Sequence, residues 1–186
     1  MTSRCEHRIL ISPIGEIGTE LIETIGEEIK QVFGFSTKTG PLLQEIAFAF
    51  DANRNQYQST LILDQLASRI PENADKVLAV ASVDLFIPIL THVYGEAQLG
   101  GKACVVSTYR LNEGHSGVAI QQKYVERIKK EATHELAHTF NLRHCPDHTC
   151  IMHYCRCEED VDRKSDQLCR YCKIMLEDEI KRLEKY

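Results

Sequence analysis

The segment HELAHTFNLRH, from His134 to His144, carries residue types whose spacing can do chemistry. On a helix, residues four apart lie one turn apart on the same face, so His134 and His138 can offer both imidazoles to one metal ion. Glu135, beside the first of them, then reaches a water on that ion rather than the ion itself. Zinc suits such donors. Three neutral ligands leave it Lewis-acidic with an open position and bring the pKa of its water to about 7, where a carboxylate can take the proton. His144 offers the third imidazole. It stands six residues after His138 and would point elsewhere on a continued helix, so a sharp turn must come between them. This is the minimum apparatus for hydrolysing an amide. The bland alternative is a buried helix that carries two histidines and a glutamate by chance, and the third histidine with the cysteines behind it weighs against that.

Of the eight cysteines, Cys5 and Cys104 stand apart while six fall between Cys145 and Cys172. The chain does not open on a basic region followed by a long apolar stretch, and no run is long enough to span a membrane, so a cytoplasmic address is expected. In a reducing compartment, clustered thiols indicate metal binding before they indicate disulfides. Spacing alone does not select four of the six. Cys155 and Cys157 are ligands on one reading and packed or solvent-facing thiols on the other. His148 and His153 could compete as ligands but are read as loop residues, and His7, His92 and His115 have no partner at ligand spacing.

The elements that must position these residues follow from hydrophobic periodicity. Arg8 to Ile11 reads as a strand, and Leu21, Ile22, Ile25, Ile29 and Val32 mark an amphipathic helix after it. A second strand is predicted across Leu43 to Phe50, where Ile46, Phe48 and Phe50 alternate, and a second helix from Leu61 to Ile70, ending at Pro71. Lys76 to Ile87 reads as a central strand. His92 to Tyr94, a candidate sheet edge, and Lys102 to Tyr109 flank the Gly100-Gly101 break. A long helix is predicted from Val118 to Asn141 and a last one from about Cys169 to the end.

With 186 residues, 43% of them hydrophobic, the chain can bury one substantial core. Its net charge of -5 argues against a nucleic-acid partner held through phosphates. The basic cluster Lys123, Arg127, Lys129 and Lys130 reads as the wet side of a helix.

His134, Glu135, His138 and His144, followed at once by Cys145, then by Cys150, Met152 and the CRYC pair Cys169 and Cys172, resemble the metzincin clan and within it the archaemetzincins. The resemblance implies an α+β, metzincin-like fold. Its upper lobe would hold a twisted mixed β-sheet with a backing helix and an active-site helix, and its small lower lobe a Met-turn, a structural zinc and a C-terminal helix. One catalytic domain over residues 1–186 is expected, its lobes dividing near Asn141. Two zinc ions per chain are implied: a catalytic one on His134, His138 and His144, and a structural one on Cys145, Cys150, Cys169 and Cys172. Met152 would form the turn beneath the metal. Asn141 stands where metzincins place glycine, and asparagine is the residue that best tolerates the left-handed conformation otherwise reserved for glycine.

The function so implied is a zinc metallopeptidase, aminopeptidase or endopeptidase, with Glu135 as general base and Tyr154 assisting at the oxyanion. A peptide or protein substrate would lie along the sheet edge near Tyr94. The competing reading is a catalytically silent zinc protein that binds a peptide or partner in the same groove. No nucleic-acid or membrane partner is expected, and the chain is expected to be a monomer.

Overall fold

The computed structural model describes residues 8–112 and 118–183, so Cys5, His7 and His115 lie outside the described residues. The first unit is β1 (Arg8–Ile14), α1 (Thr19–Phe33) and β2 (Ser36–Thr39), with the two strands parallel. Helix α1 buries Ile22, Ile25, Ile29 and Phe33, a stripe at three- and four-residue spacing, and stops at Gly34, whose φ of 75° is left-handed. Then come β3 (Phe50–Asp51), β4 (Gln56–Gln58), α2 (Ser59–Ala67), β5 (Lys76–Ala81), β6 (Leu85–Phe86), β7 (Gly95–Ala97) and β8 (Ala103–Ser107). The remaining helices are α3 (Val118–Thr139), α4 (Glu158–Arg163) and α5 (Arg170–Leu183).

The main sheet has the order β2-β1-β5-β8-β7, and only β7 is antiparallel to its neighbour. Strand β5 is buried along its whole length, as expected of a strand covered on both faces; after Lys76 its residues are all apolar. Alternate residues divide between two cores. Ile9, Ile11, Leu78, Val80, Cys104 and Val106 pack with α1 and with Ile128, Ala132, Leu136 and Phe140 of α3. Leu10, Ile14, Val77, Ala79, Ala103 and Val105 pack with Ile62, Leu63 and Leu66 of α2. The α3 core runs on without a break into Ile151, Met152, Val161 and Leu176, so the last third of the chain shares its apolar interior with the sheet.

Three expectations need correction. The strand predicted across Leu43 to Phe50 is, up to Ala49, a loop with a 3-10 turn at Ala47–Ala49, and only Phe50 enters a strand, β3; Leu43, Ile46 and Ala49 turn inward while Phe48 and Phe50 stay exposed. The place beside β1 is taken by the polar Ser36–Thr39, which shows no apolar alternation because it is an edge strand. The run from Lys76 to Ile87 divides after Ala81, its end crossing to a second sheet ordered β3-β4-β6.

The basic cluster is the third. Lys123 is exposed, but Arg127 makes a two-pronged bond to Asp162 at 2.8 Å, Lys129 pairs with Glu28 at 2.9 Å, and Lys130 donates to the carbonyls of Val161 and Lys164. These side chains form the seam that fastens α3 to α1 and to the segment around α4. Beneath it Lys164, fully buried, pairs with Glu131 at 2.7 Å. Removing one partner of such a pair costs about 3–5 kcal/mol, because the other charge is left buried and alone.

Helix α3 ends where the site requires it. Asn141 has φ 65°; its N–H donates to the His138 carbonyl and the Leu142 N–H to that of Ala137. This is the paired closure of a left-handed helix terminus, with Leu142 buried as its apolar contact. The Lys76 ammonium adds a bond to the Thr139 carbonyl at 2.8 Å. If the backbone conformation is the whole requirement at this position, Asn141→Gly should be neutral or stabilising by up to about 1 kcal/mol. Asn141→Val should cost about 1–2 kcal/mol. Urea midpoints of the metal-loaded proteins decide it: equal losses in both variants would show that the asparagine side chain, not the turn, is what matters.

Candidate functional site

His134 and His138 project from the last turns of α3 with their Nε2 atoms 3.1 Å apart. His144, returned by the turn at Asn141, completes a group whose donor atoms all lie within 4.8 Å of one another. The ring orientations are fixed from behind. Nδ1 of His134 lies 2.9 Å from the Ile151 carbonyl and Nδ1 of His138 lies 2.6 Å from that of Leu142. A carbonyl only accepts, so both Nδ1 atoms carry the proton and both Nε2 lone pairs face the common point. Burial lowers all three imidazole pKa values, His138 to about 4 and His134 well below the ordinary range, and the Lys164 ammonium acts in the same direction. Neutral imidazoles with converging lone pairs are what a metal ion needs.

The group opens into a cleft of about 880 Å³. One wall is the edge of the sheet, from Thr91 through Gly95, Glu96 and Ala97, and the opposite wall is formed by Arg143, His144, Tyr154 and Arg156. Glu135 lines it beside the imidazoles, and burial holds its carboxyl well above the usual carboxylate range, with Glu131 adding and Lys164 opposing. A bound dication would oppose that rise as well.

Gly95 faces Glu135 directly. A β-carbon there would come within 2.5 Å of the Glu135 Cγ and 2.6 Å of the Val105 carbonyl oxygen. Sequence reasoning placed the edge strand at His92 to Tyr94 and missed this residue, although a glycine inside a strand is the usual sign of a close approach. It also missed the Glu131–Lys164 pair, since neither residue shows a motif and only the folded chain brings α3 against Lys164.

The second donor group is Cys145, Cys150, Cys169 and Cys172, whose sulfurs also lie within 4.8 Å of one another. Cys145 and Cys169 are 3.8 Å apart, the spacing of about 3.8 Å that four sulfurs at about 2.3 Å from one zinc adopt. Burial pushes the Cys150 and Cys172 thiols up, and the Cys172 amide draws Cys169 down, so a dication is what would let all four ionise together. Cys155 and Cys157 stand outside: Cys155 points at the His153 carbonyl, and Cys157 precedes α4 as its N-cap. Met152 is fully buried, its carbonyl accepting the Cys145 N–H, and its neighbour Ile151 holds His134. Tyr154 is exposed, its ring 5.2 Å from that of His144.

Comparison with known proteins agrees with this geometry. The model of peptidase family M54 matches residues 14–178. The archaemetzincin of Methanopyrus kandleri is 41% identical over 134 residues, 72% of this chain and 73% of the relative. That of Methanocaldococcus jannaschii is 34% identical over 172 residues, 92% and 93% of the two chains. The crystal structure of the M. kandleri archaemetzincin superposes with a TM-score of 0.86 at 33% identity, covering 97% of this chain and 99% of that one. A zinc-dependent peptidase from Methanocorpusculum labreanum gives 0.80 at 26% identity, over 90% and 99%. The chain belongs to peptidase family M54 as an archaemetzincin, a zinc metallopeptidase whose two donor groups fit two zinc ions.

Proposed function

We propose that His134, His138 and His144 hold the catalytic zinc, that Glu135 is the general base, and that Cys145, Cys150, Cys169 and Cys172 hold a structural zinc. The observation that carries this reading is the convergence of three imidazole donors within 4.8 Å of one another, with the buried Glu135 carboxyl beside them in an open cleft. When bound, the ion supplies Lewis acidity, polarising a carbonyl and acidifying water. Glu135, lining the cleft beside the imidazoles, takes the proton from the attacking water and delivers it to the leaving amine. The outer edge of β7 has no strand partner among the described residues and offers its backbone groups to an extended peptide, which would lie between that edge and the wall of His144 and Tyr154. Tyr154 is placed to assist at the developing oxyanion, and Met152 forms the turn under the imidazoles.

We further infer one catalytic domain over residues 1–186 with lobes meeting near Asn141, acting as a cytoplasmic monomer without a nucleic-acid partner. None of the seven described cysteines is in a disulfide, four of them lying in the thiol group assigned to zinc, which fits a reducing compartment. No described helix is long and apolar enough to cross a membrane. The open cleft and the intact proton acceptor favour turnover over a silent binding protein.

Glu135→Gln keeps the side chain's size but cannot accept the proton, so peptide hydrolysis should fall by about two to four orders of magnitude with both zinc ions retained. Gly95→Ala should reach a similar end through displacement: the new methyl group must push the Glu135 side chain, and a shift of about 1 Å costs about a hundredfold. Activity on a peptide library, measured beside zinc content, checks both. Hydrolysis unchanged in Glu135→Gln would remove the base from the mechanism, and loss of zinc in Gly95→Ala would show that the glycine serves the fold instead.

Zinc release by acid should follow the depressed imidazoles. Unfolded histidine titrates at about 6.5, whereas His138 in the folded, metal-free site titrates at about 4. Between those limits the folded chain binds fewer protons, so this contribution to stability is complete above about pH 6.5 and is lost as pH falls toward about 4. The histidine site should therefore keep its zinc through mildly acid pH and release it steeply only near about pH 4, followed with a chromophoric chelator. Half-release near pH 6.5 would contradict the burial of His134 and the partial burial of His138.

A further inference from the structure

Outside the cleft, in the loop joining His144 to the segment at Met152, two more histidines face one another. His148 Nδ1 lies 3.0 Å from His153 Nε2, with ring centroids 4.4 Å apart and ring planes at 69°. The closest likeness within the molecule is the pair His134 and His138, with nitrogens 3.1 Å apart, centroids 4.7 Å and planes at 89°. The resemblance extends behind the rings. His153 Nδ1 lies 3.0 Å from the Cys145 carbonyl, just as Nδ1 of His134 and of His138 each meet a backbone carbonyl. A carbonyl cannot donate, so the neutral His153 ring carries its proton on Nδ1 and turns its Nε2 lone pair toward His148.

We propose that His148 and His153 form a third metal site, for a divalent transition-metal ion of the imidazole-preferring kind such as zinc, separate from both groups described above. Two nitrogens about 2.1 Å from one ion lie about 3.0 Å apart when they subtend a right angle and about 3.4 Å apart at the tetrahedral angle. The observed 3.0 Å suits two neighbouring ligands of a five- or six-coordinate ion whose other positions hold water. His148 is exposed and His153 half-buried, so solvent reaches the pair. Asp147, whose carboxyl is held down by hydrogen bonds from the Thr149 amide and hydroxyl, adds negative charge next to both imidazoles. The simple alternative is a single hydrogen bond from the His148 Nδ1–H to the His153 Nε2.

The position suggests a consequence. The carbonyl that orients His153 belongs to Cys145, which follows His144, so an ion here would tie down the loop that presents a donor to each of the other two groups. Occupancy should stabilise the holoprotein in a concentration-dependent way. None of this depends on the activity assigned to the cleft.

The test is isothermal titration of the holoprotein, carrying its two resident zinc ions, with zinc chloride in a non-chelating buffer, beside thermal unfolding in the same zinc series. Wild type should take up one further zinc per chain and gain thermal stability as it does so. In His148→Ala the additional binding should weaken by about tenfold or more and the stability gain should vanish, with the two resident ions still present. His148 is exposed and among the described residues bonds only to His153, so the variant tests the site without disturbing the core. No third equivalent in wild type would leave the simple hydrogen bond as the explanation, and a third equivalent unchanged in His148→Ala would place it elsewhere; either overturns the proposal.

Discussion

The left-handed turn at Asn141 is the constraint from which the geometry of the cleft follows. Had α3 continued, His144 would stand on a different face from His134 and His138, and Cys145 would point away from α5. The turn is closed by the amides of Asn141 and Leu142, anchored by buried Leu142, and backed by the Lys76 ammonium on the Thr139 carbonyl. Leu142 does a second task, because its carbonyl is the one that fixes His138. One backbone conformation thus sets where the third imidazole lies, how the second is oriented, and where the thiol group begins.

A second constraint is electrostatic. Glu131 and Lys164 are both buried, one turn before His134 and immediately after α4, and they pair at 2.7 Å. The ammonium disfavours positive charge on the imidazoles and favours the ionised form of Glu135, while Glu131 acts on Glu135 in the opposite sense. Such a pair contributes little net stability compared with apolar packing. Its place between the active-site helix and the segment that leads into the thiol group nevertheless means that the site and its support cannot shift independently. The bonds from Lys130 and Arg127 to the same segment reinforce this.

Much of this was legible in the sequence, for reasons that can be traced to particular residues. The helical face of His134 and His138 follows from four-residue spacing alone, and the apolar periods of α1, α3 and β5 are strong because each packs a full face into the core. Family resemblance chose the four cysteines that the structure brings together, where spacing had left six in play. Residues whose role depends on partners distant in sequence were not legible. Ser36–Thr39 has no apolar pattern because it sits at an edge, and Leu43 to Phe50 alternates without pairing as one strand. The basic side chains of α3 look like a solvated face until Asp162, Glu28 and the carbonyls near α4 are seen against them. Gly95 gave a readable signal, a glycine beside a sheet edge, that acquires its meaning only from the Glu135 side chain opposite.

The central claim is that two different donor groups, joined through the single peptide between His144 and Cys145, hold two zinc ions with Glu135 left free as a base. Anomalous diffraction at the zinc absorption edge from crystals of the purified protein tests it most directly. Two peaks are expected, one about 2.1 Å from nitrogens of His134, His138 and His144 and one about 2.3 Å from the sulfurs of Cys145, Cys150, Cys169 and Cys172, with no bond to Glu135. A peak bonded to the Glu135 carboxylate, or no peak among the three imidazoles, would contradict it.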